Sequence, residues 1–288
     1  MKIDKLINLI KKNFHQKKIF LNEPIIDKTD EKGVNKTIKS TFVSSAGTAT
    51  KLFEKIISKV TGSKYVIAVN SGTSALFLSL IAAGVKKNEE VFVPSMSYVA
   101  SANVILYNGS IPHFVDVKKE NFGIDFEKLE KYVNKNFKII KNRLINKKSR
   151  NTVKALILVH VFGHSANPEK AKRFCKKFKL KLIEDAAGAL GSFHKNKHLG
   201  TFGDAGIISF NGNKTITTGA GGVILTNNKK ISDLVYNLST VNKTNDKLDF
   251  NFRNIGYNVR MPSLNAALVL NQILKLKKIL NLKRNIAK

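Results

Sequence analysis

From about Lys64 onward the chain alternates between short apolar runs rich in β-branched residues and longer stretches with helical spacing. YVIAV (65–69) leads through NSGTS into ALFLSLIAAG, VFVP (91–94) precedes SYVASANVILYNG, IPHFVDV precedes DFEKLEKYV, and KALILVH precedes NPEKAKRFCKKF. KLIEDAA, GDAGIISF and GGVILTN add three further strand-like runs. Continuously apolar strands are covered on both faces, and helices between them serve as the crossovers of a parallel sheet. The pattern therefore predicts an α/β domain, a mostly parallel sheet sandwiched by helices, with right-handed connections and a site at the strand carboxyl ends. Within it Asn167 is placed to cap a helix whose first turn holds Pro168. From Pro262 a long helix, SLNAALVLNQILKLKKILNLKRN, runs to the end, and no internal repeat is visible.

With 288 residues, 43% of them hydrophobic, the chain can bury one large core or two modest ones. No apolar run approaches the roughly 20 residues of a membrane helix. At the N-terminus Leu6, Ile7 and Ile10 stand at helical spacing among lysines, without the features of a signal or transit peptide, so a cytoplasmic protein is expected. Cys175 is expected to pack inside a helix, and His160 and His164 do not form a metal spacing on one helical face, so no metal is expected. The net charge of +30 comes from 44 Lys and only 6 Arg, spread over the whole length. Nucleic-acid recognition leans on arginine forks and clustered patches, so a compositional bias explains the charge better than such a partner does. The stretch Lys131–Arg150, with eight basic residues and no acidic one, reads as a solvated excursion between a helix and a strand; it could also serve an anionic partner.

Four features gather at the strand ends. In SFNGNKTITTGAGG a single lysine, Lys214, stands among small residues between two strands, where burial would favour the free amine that attacks carbonyls. Asn70-Ser71-Gly72-Thr73-Ser74 opens a helix with small residues and hydroxyls, an anion cradle. Glu184 and Asp185 end a buried strand, where a desolvated carboxylate needs a cation. Tyr98 lies just past another strand and can offer a ring face. Each alone has an ordinary structural role: a helix cap, an ion pair, a core aromatic, one lysine of many. Together they fit pyridoxal phosphate (PLP), which calls for a phosphate cradle, a carboxylate on the pyridinium nitrogen, an aromatic face and a Schiff-base lysine.

On VNSGTSALFLSL, EVFVPSMSYVASANVILYNG, LVHVFGHSANPEK, LIEDAAGALGSF, SFNGNK with TGAGG, and IGYNVRMPSLNAAL, the chain resembles the DegT/DnrJ/EryC1/StrS family of sugar aminotransferases. It looks most like the branch that aminates C4 of UDP-linked 4-keto-6-deoxy-N-acetylhexosamines, including enzymes of legionaminic acid biosynthesis. The resemblance implies a fold-type-I PLP-dependent transferase with a mostly parallel seven-stranded sheet. Residues 41–260 would form the PLP-binding large domain, 1–40 a basic helix and arm, and 261–288 a helix leading toward a C-terminal small domain. By position, Lys214 would be the Schiff-base lysine and proton shuttle, and Asp185 would pair with the ring nitrogen. Tyr98 would stack on the ring, Gly72, Thr73 and Ser209 would bind the phosphate, and Asn258 would reach the phosphate of a neighbouring subunit in a homodimer. Glutamate would donate the amino group and a nucleotide sugar would accept it, for surface-polysaccharide amino sugars. Two departures stand out: Gly188 replaces the Gln or Glu common near the ring O3′, and the sequence stops at Lys288, short of the small domain. The second makes a truncated, non-catalytic dimerising or binding module the competing expectation.

Overall fold

Alternation along single strands decides how the sheet is covered. The computed structural model describes residues 3–13, 22–243, 251–252 and 254–287; the rest of the expected N-terminal arm and Lys288 lie outside the described residues. In chain order the elements begin with α1 (Ile3–Asn13), α2 (Lys28–Lys39), α3 (Thr48–Thr61), β1 (Tyr65–Val69), α4 (Gly72–Ala82), β2 (Glu90–Pro94), α5 (Ala100–Tyr107) and β3 (Ile111–Val115). They continue with α6 (Phe126–Asn136), β4 (Phe137–Ile140), β5 (Arg143–Asn146), β6 (Thr152–Val159), α7 (Pro168–Phe178) and β7 (Lys181–Asp185). A small hairpin, β8 (Phe193–His194) and β9 (Lys197–His198), is followed by β10 (Ala205–Ser209), β11 (Gly222–Thr226), α8 (Lys229–Ser239) and α9 (Ser263–Ile286).

The main path of the sheet runs β1-β11-β10-β7-β6-β2-β3, seven strands as expected. All pairings among β10, β7, β6, β2 and β3 are parallel; β11 alone runs against its neighbours β1 and β10. Odd and even strand positions bury on opposite faces. Ile67, Val69, Val91, Val93, Ile157 and Ile207 pack with α4, α5 and α8 on one face. Phe92, Leu156, Leu158 and Leu182 meet α6 and α7 on the other, and Ala68, Ile208, Val223 and Leu225 meet α3 and α9. Asn167 caps α7 as read from the sequence, its side chain accepting from the Lys170 amide with Pro168 in the first turn. Cys175 is buried in that helix.

The basic stretch 131–150 is not a solvated excursion throughout. After the end of α6 it forms the β4–β5 hairpin, and β5 pairs antiparallel with β6, extending the sheet to nine strands. Its turn places Lys141 and Asn142 at φ 46° and 61°, two consecutive left-handed residues whose twist suits a two-residue hairpin. Phe137 and Leu144 turn inward while the cations face out. Helix α9 lies against α3 and the sheet through Ala266, Val269, Ile273, Leu276 and Ile279, so it belongs to the same core. Among the described residues no helix is long and apolar enough to cross a membrane.

Candidate active site

The carboxyl ends of the strands open onto a cleft of about 730 Å³. It draws lining residues from the ends of β6, β7 and β10 and from the segments after β1, β2 and β10.

The segment after β1 builds a cradle. Ser71 holds extended backbone and caps α4, its Oγ accepting from the Ser74 amide at 3.0 Å and sharing a hydrogen bond with Ser74 Oγ at 2.9 Å. Ser74 Oγ also donates to Asn70 Oδ1 at 2.7 Å. The cap thus occupies the third amide of the helix and leaves those of Gly72 and Thr73 without an acceptor among the described residues. Ser209, from the end of β10, stands so close that a Cβ on Gly72 would lie 3.0 Å from its Cβ and 3.2 Å from its Oγ. A Cβ on Gly222 would come within 2.6 Å of both Ser71 O and Gly72 N, which accounts for glycine at that place in the GAGG run. Two free amides at the positive end of a helix, beside a hydroxyl, make an anion site.

The two carboxylates that end β7 face opposite ways, as neighbours on a strand must. Glu184 is fully buried beneath the cleft and accepts from the amides of Gly200, Phe202 and Gly203 at 3.1, 2.6 and 2.7 Å and from His160 Nε2 at 3.0 Å. His160 Nδ1 accepts from the Ala166 amide at 3.2 Å, so the ring proton resides on Nε2 and His160 is committed to the scaffold. Asp185 points into the cleft, 6% exposed. Ser101 Oγ donates to its Oδ2 at 2.6 Å and the Ala187 amide to its Oδ1 at 3.1 Å. No basic side chain pairs with it among the described residues. A buried carboxylate held only by neutral donors is an incomplete charge arrangement, and a protonated ring nitrogen in the cleft would complete it.

Lys214 follows β10 in a loop that α9 holds in place. Its amide donates to Asn211 O, Thr217 exchanges two hydrogen bonds with the buried Gln272, and Asn265 Nδ2 donates to Thr218 O at 2.8 Å. The lysine is half-buried on the cleft wall, not sealed in a dry pocket as the sequence suggested. Tyr98 lines the same cleft and is 77% exposed. Gly188 is on the wall as well, where a Cβ would meet nothing nearer than Gly163 N at 3.8 Å. Asn258 is the one expected site residue that does not line the cleft of its own chain. It is exposed and sits beside the cradle, bridged to Thr240, while the next residue's carbonyl accepts from the Asn70 amide at 2.9 Å. Ser101, Gln272 and Asn265 were not singled out from the sequence; the only signal was a polar residue on an otherwise apolar helix face.

Against known proteins, the model of the DegT/DnrJ/EryC1/StrS aminotransferase family matches residues 24–288. GDP-perosamine synthase of Escherichia coli is 35% identical over 265 residues, covering 92% of this chain and 68% of that protein. The UDP-4-amino-4,6-dideoxy-N-acetyl-beta-L-altrosamine transaminase of Helicobacter pylori is 31% identical, covering 90% and 65%. A Streptococcus pneumoniae protein described as a sugar aminotransferase, solved in its PLP form, superposes with a TM-score of 0.81 at 25% identity, covering 93% and 69%. The chain thus spans about two thirds of the length of the relatives it matches.

Proposed function

The chain belongs to the DegT/DnrJ/EryC1/StrS aminotransferase family, and from that premise we propose that it transfers an amino group from glutamate to a nucleotide-linked 4-keto-6-deoxy sugar, with PLP as cofactor. The observation that carries this reading is the meeting, in one cleft, of Lys214, the buried and uncompensated Asp185, and the free amides of Gly72 and Thr73. The arrangement fits the cofactor that the family uses. Residues 41–260 would be the cofactor-binding domain, with 1–40 as a helix and arm before it and the helix of 261–288 packed on the same core.

When bound, the cofactor supplies a carbonyl carbon that an amine can join and a ring that takes up the electron pair left by a departing proton. The amides of Gly72 and Thr73 and the Ser209 hydroxyl would bind its phosphate, and Tyr98 would cover a ring face. Asp185 would keep the ring nitrogen protonated, with Ser101 fixing the orientation of the carboxylate. Lys214 Nζ would hold the cofactor at rest. Once released, it would take the proton from Cα of glutamate and later return one to the sugar carbon that is aminated. Asn258 would reach the phosphate of a second copy of the chain, which makes a homodimer part of the proposal. A cytoplasmic setting fits the supply of nucleotide sugar and glutamate.

The sugar is proposed as a UDP-linked N-acetylhexosamine derivative on the motif resemblance, with a GDP-linked sugar as the second reading, favoured by the 35% identity to GDP-perosamine synthase. The test is the visible spectrum of the purified protein with added PLP, before and after glutamate. Bleaching of a lysine-bound band, then its return on addition of UDP- or GDP-linked 4-keto-6-deoxy sugar, supports the reading and chooses the nucleotide. A folded protein that forms no band overturns it and leaves the binding-module alternative.

A further inference from the structure

A second pocket, of about 140 Å³, opens at the other end of the sheet. Strand β6 runs between the two cavities: Val159 lines the cofactor cleft, while Thr152, Val153 and Lys154 line this pocket. The strand rises about 3.3 Å per residue, which sets the cavities about 20 Å apart, and they share no lining residue. Four cations converge here. After α4 the chain makes a turn closed in both directions, the Lys86 amide donating to Glu89 Oε2 at 2.8 Å and the Glu89 amide to Lys86 O at 3.1 Å. That turn puts Lys86 on the pocket wall. Lys179 caps the C-terminus of α7 with φ 61°, just ahead of β7. The left-handed pair Lys141 and Asn142 carries the chain to Arg143 at the start of β5. Strand β5 pairs Leu144 with Val153 and Ile145 with Thr152, so the next step of the same register sets Arg143 across from Lys154.

This arrangement is unfavourable by itself. Like charges directly opposite on paired strands repel, and Lys86 and Lys179 bring two more cations to the same concavity. Glu89 is the one acidic residue in the lining, so the pocket carries a net +3. None of the four cationic side chains has a hydrogen bond or ion pair among the described residues, whereas Lys118 pairs with Glu127 and Lys181 with Asp204. The ends of α4 and α7 favour a cation at Lys86 and at Lys179, but Arg143 and Lys154 stand on strands and have no helix end of their own. An anion in the pocket would offset all four charges at once. We propose that this pocket binds a small anion of the phosphate class, Arg143 offering its guanidinium fork to two oxygens and Lys86, Lys154 and Lys179 neutralising the remaining charge. The site is independent of the aminotransferase reading, since none of its residues belongs to the cleft.

The test is a lysine footprint of the intact protein: acetylation read residue by residue by mass spectrometry, with and without inorganic diphosphate at about 1 mM and constant ionic strength. Diphosphate should slow acetylation of Lys86, Lys154 and Lys179 about threefold, and leave Lys131 and Lys138, exposed in the neighbouring basic stretch, within about 20% of their rates. Arg143 is exposed and Lys154 half-buried, so Arg143→Gln and Lys154→Met should melt within about 2 °C of the parent and lose the protection at the remaining pocket lysines. Ribose 5-phosphate, as a second probe, separates two sources of the anion. Protection by both probes assigns a phosphate on a carrier, and protection by diphosphate alone assigns the free anion. The inference is overturned if the three lysines are not slowed, or if both variants keep the parent's protection. Equal slowing of every lysine overturns it as well, because that is the response of a +30 surface gathering counterions.

Discussion

Lys214 and Asp185 carry different parts of the proposed chemistry, and their variants should separate them. Lys214→Ala should keep the fold, because the half-buried side chain makes no hydrogen bond or ion pair among the described residues, yet show no visible band and no borohydride-reducible adduct. A reducible adduct unchanged from the parent would place the reactive amine elsewhere. Asp185→Asn keeps the shape and the Ser101 contact but removes the charge. It should retain most of the bound cofactor and lower the rate of the glutamate half-reaction by on the order of 10² to 10³, since the lost charge acts on charge that develops in the reaction. Equal half-reaction rates in variant and parent would end the pyridinium role. These residues were legible in the sequence because their chemistry is out of place there: a lone lysine among glycines, an aspartate ending an apolar strand. Ser101 was not, because it lies 84 positions from the carboxylate it holds and looks like any helix serine.

At the scale of elements, the parallel strands were legible because each is a continuous apolar run, whereas β4 and β5 were hidden. FKII and RLIN carry lysine and arginine at their outward positions, and their turn uses Lys141 and Asn142 where glycine would have announced it. The antiparallel course of β11 was equally hidden, since burial on both faces looks the same in either direction. Glu184 shows how the elements are tied beneath the site. It fastens the end of β7 to the 200–203 loop and to His160. Glu184→Ala would leave several buried donors unsatisfied, each costing about 1–3 kcal/mol, so a loss of about 3 kcal/mol or more is expected as a lowered urea midpoint. A midpoint within experimental error of the parent would mean that water replaces the carboxylate and that β7 is not held by it.

For the whole molecule, the one cysteine and a buried histidine make stability measurable as a function of pH. Burial in the core of α7 pushes the Cys175 thiol far above its ordinary range, so a thiol reagent should modify it only when the domain opens. His198 supplies the pH dependence. It is 1% exposed, its Nε2 accepts from the Gly191 amide at 2.9 Å, and its Nδ1–H donates to Leu199 O at 2.6 Å. Desolvation holds its pKa below the ordinary 6.5, against the opposing pull of the Leu199 carbonyl and the Glu184 charge. Above about pH 6.5 neither the folded nor the unfolded chain protonates this residue, and its contribution to stability is complete. As pH falls below that value the unfolded chain takes up a proton that the folded chain refuses, so stability declines until the lowered pKa is reached. Labelling of Cys175 should therefore speed up on going from about pH 7.5 to about pH 5.5, once corrected for the reagent's own dependence on thiolate. His198→Gln should be less stable at the higher pH and show a flatter decline. If the variant keeps the parent's full slope, the acid sensitivity arises elsewhere. If Cys175 labels at the rate of a free thiol under native conditions, α7 opens independently of the sheet it covers.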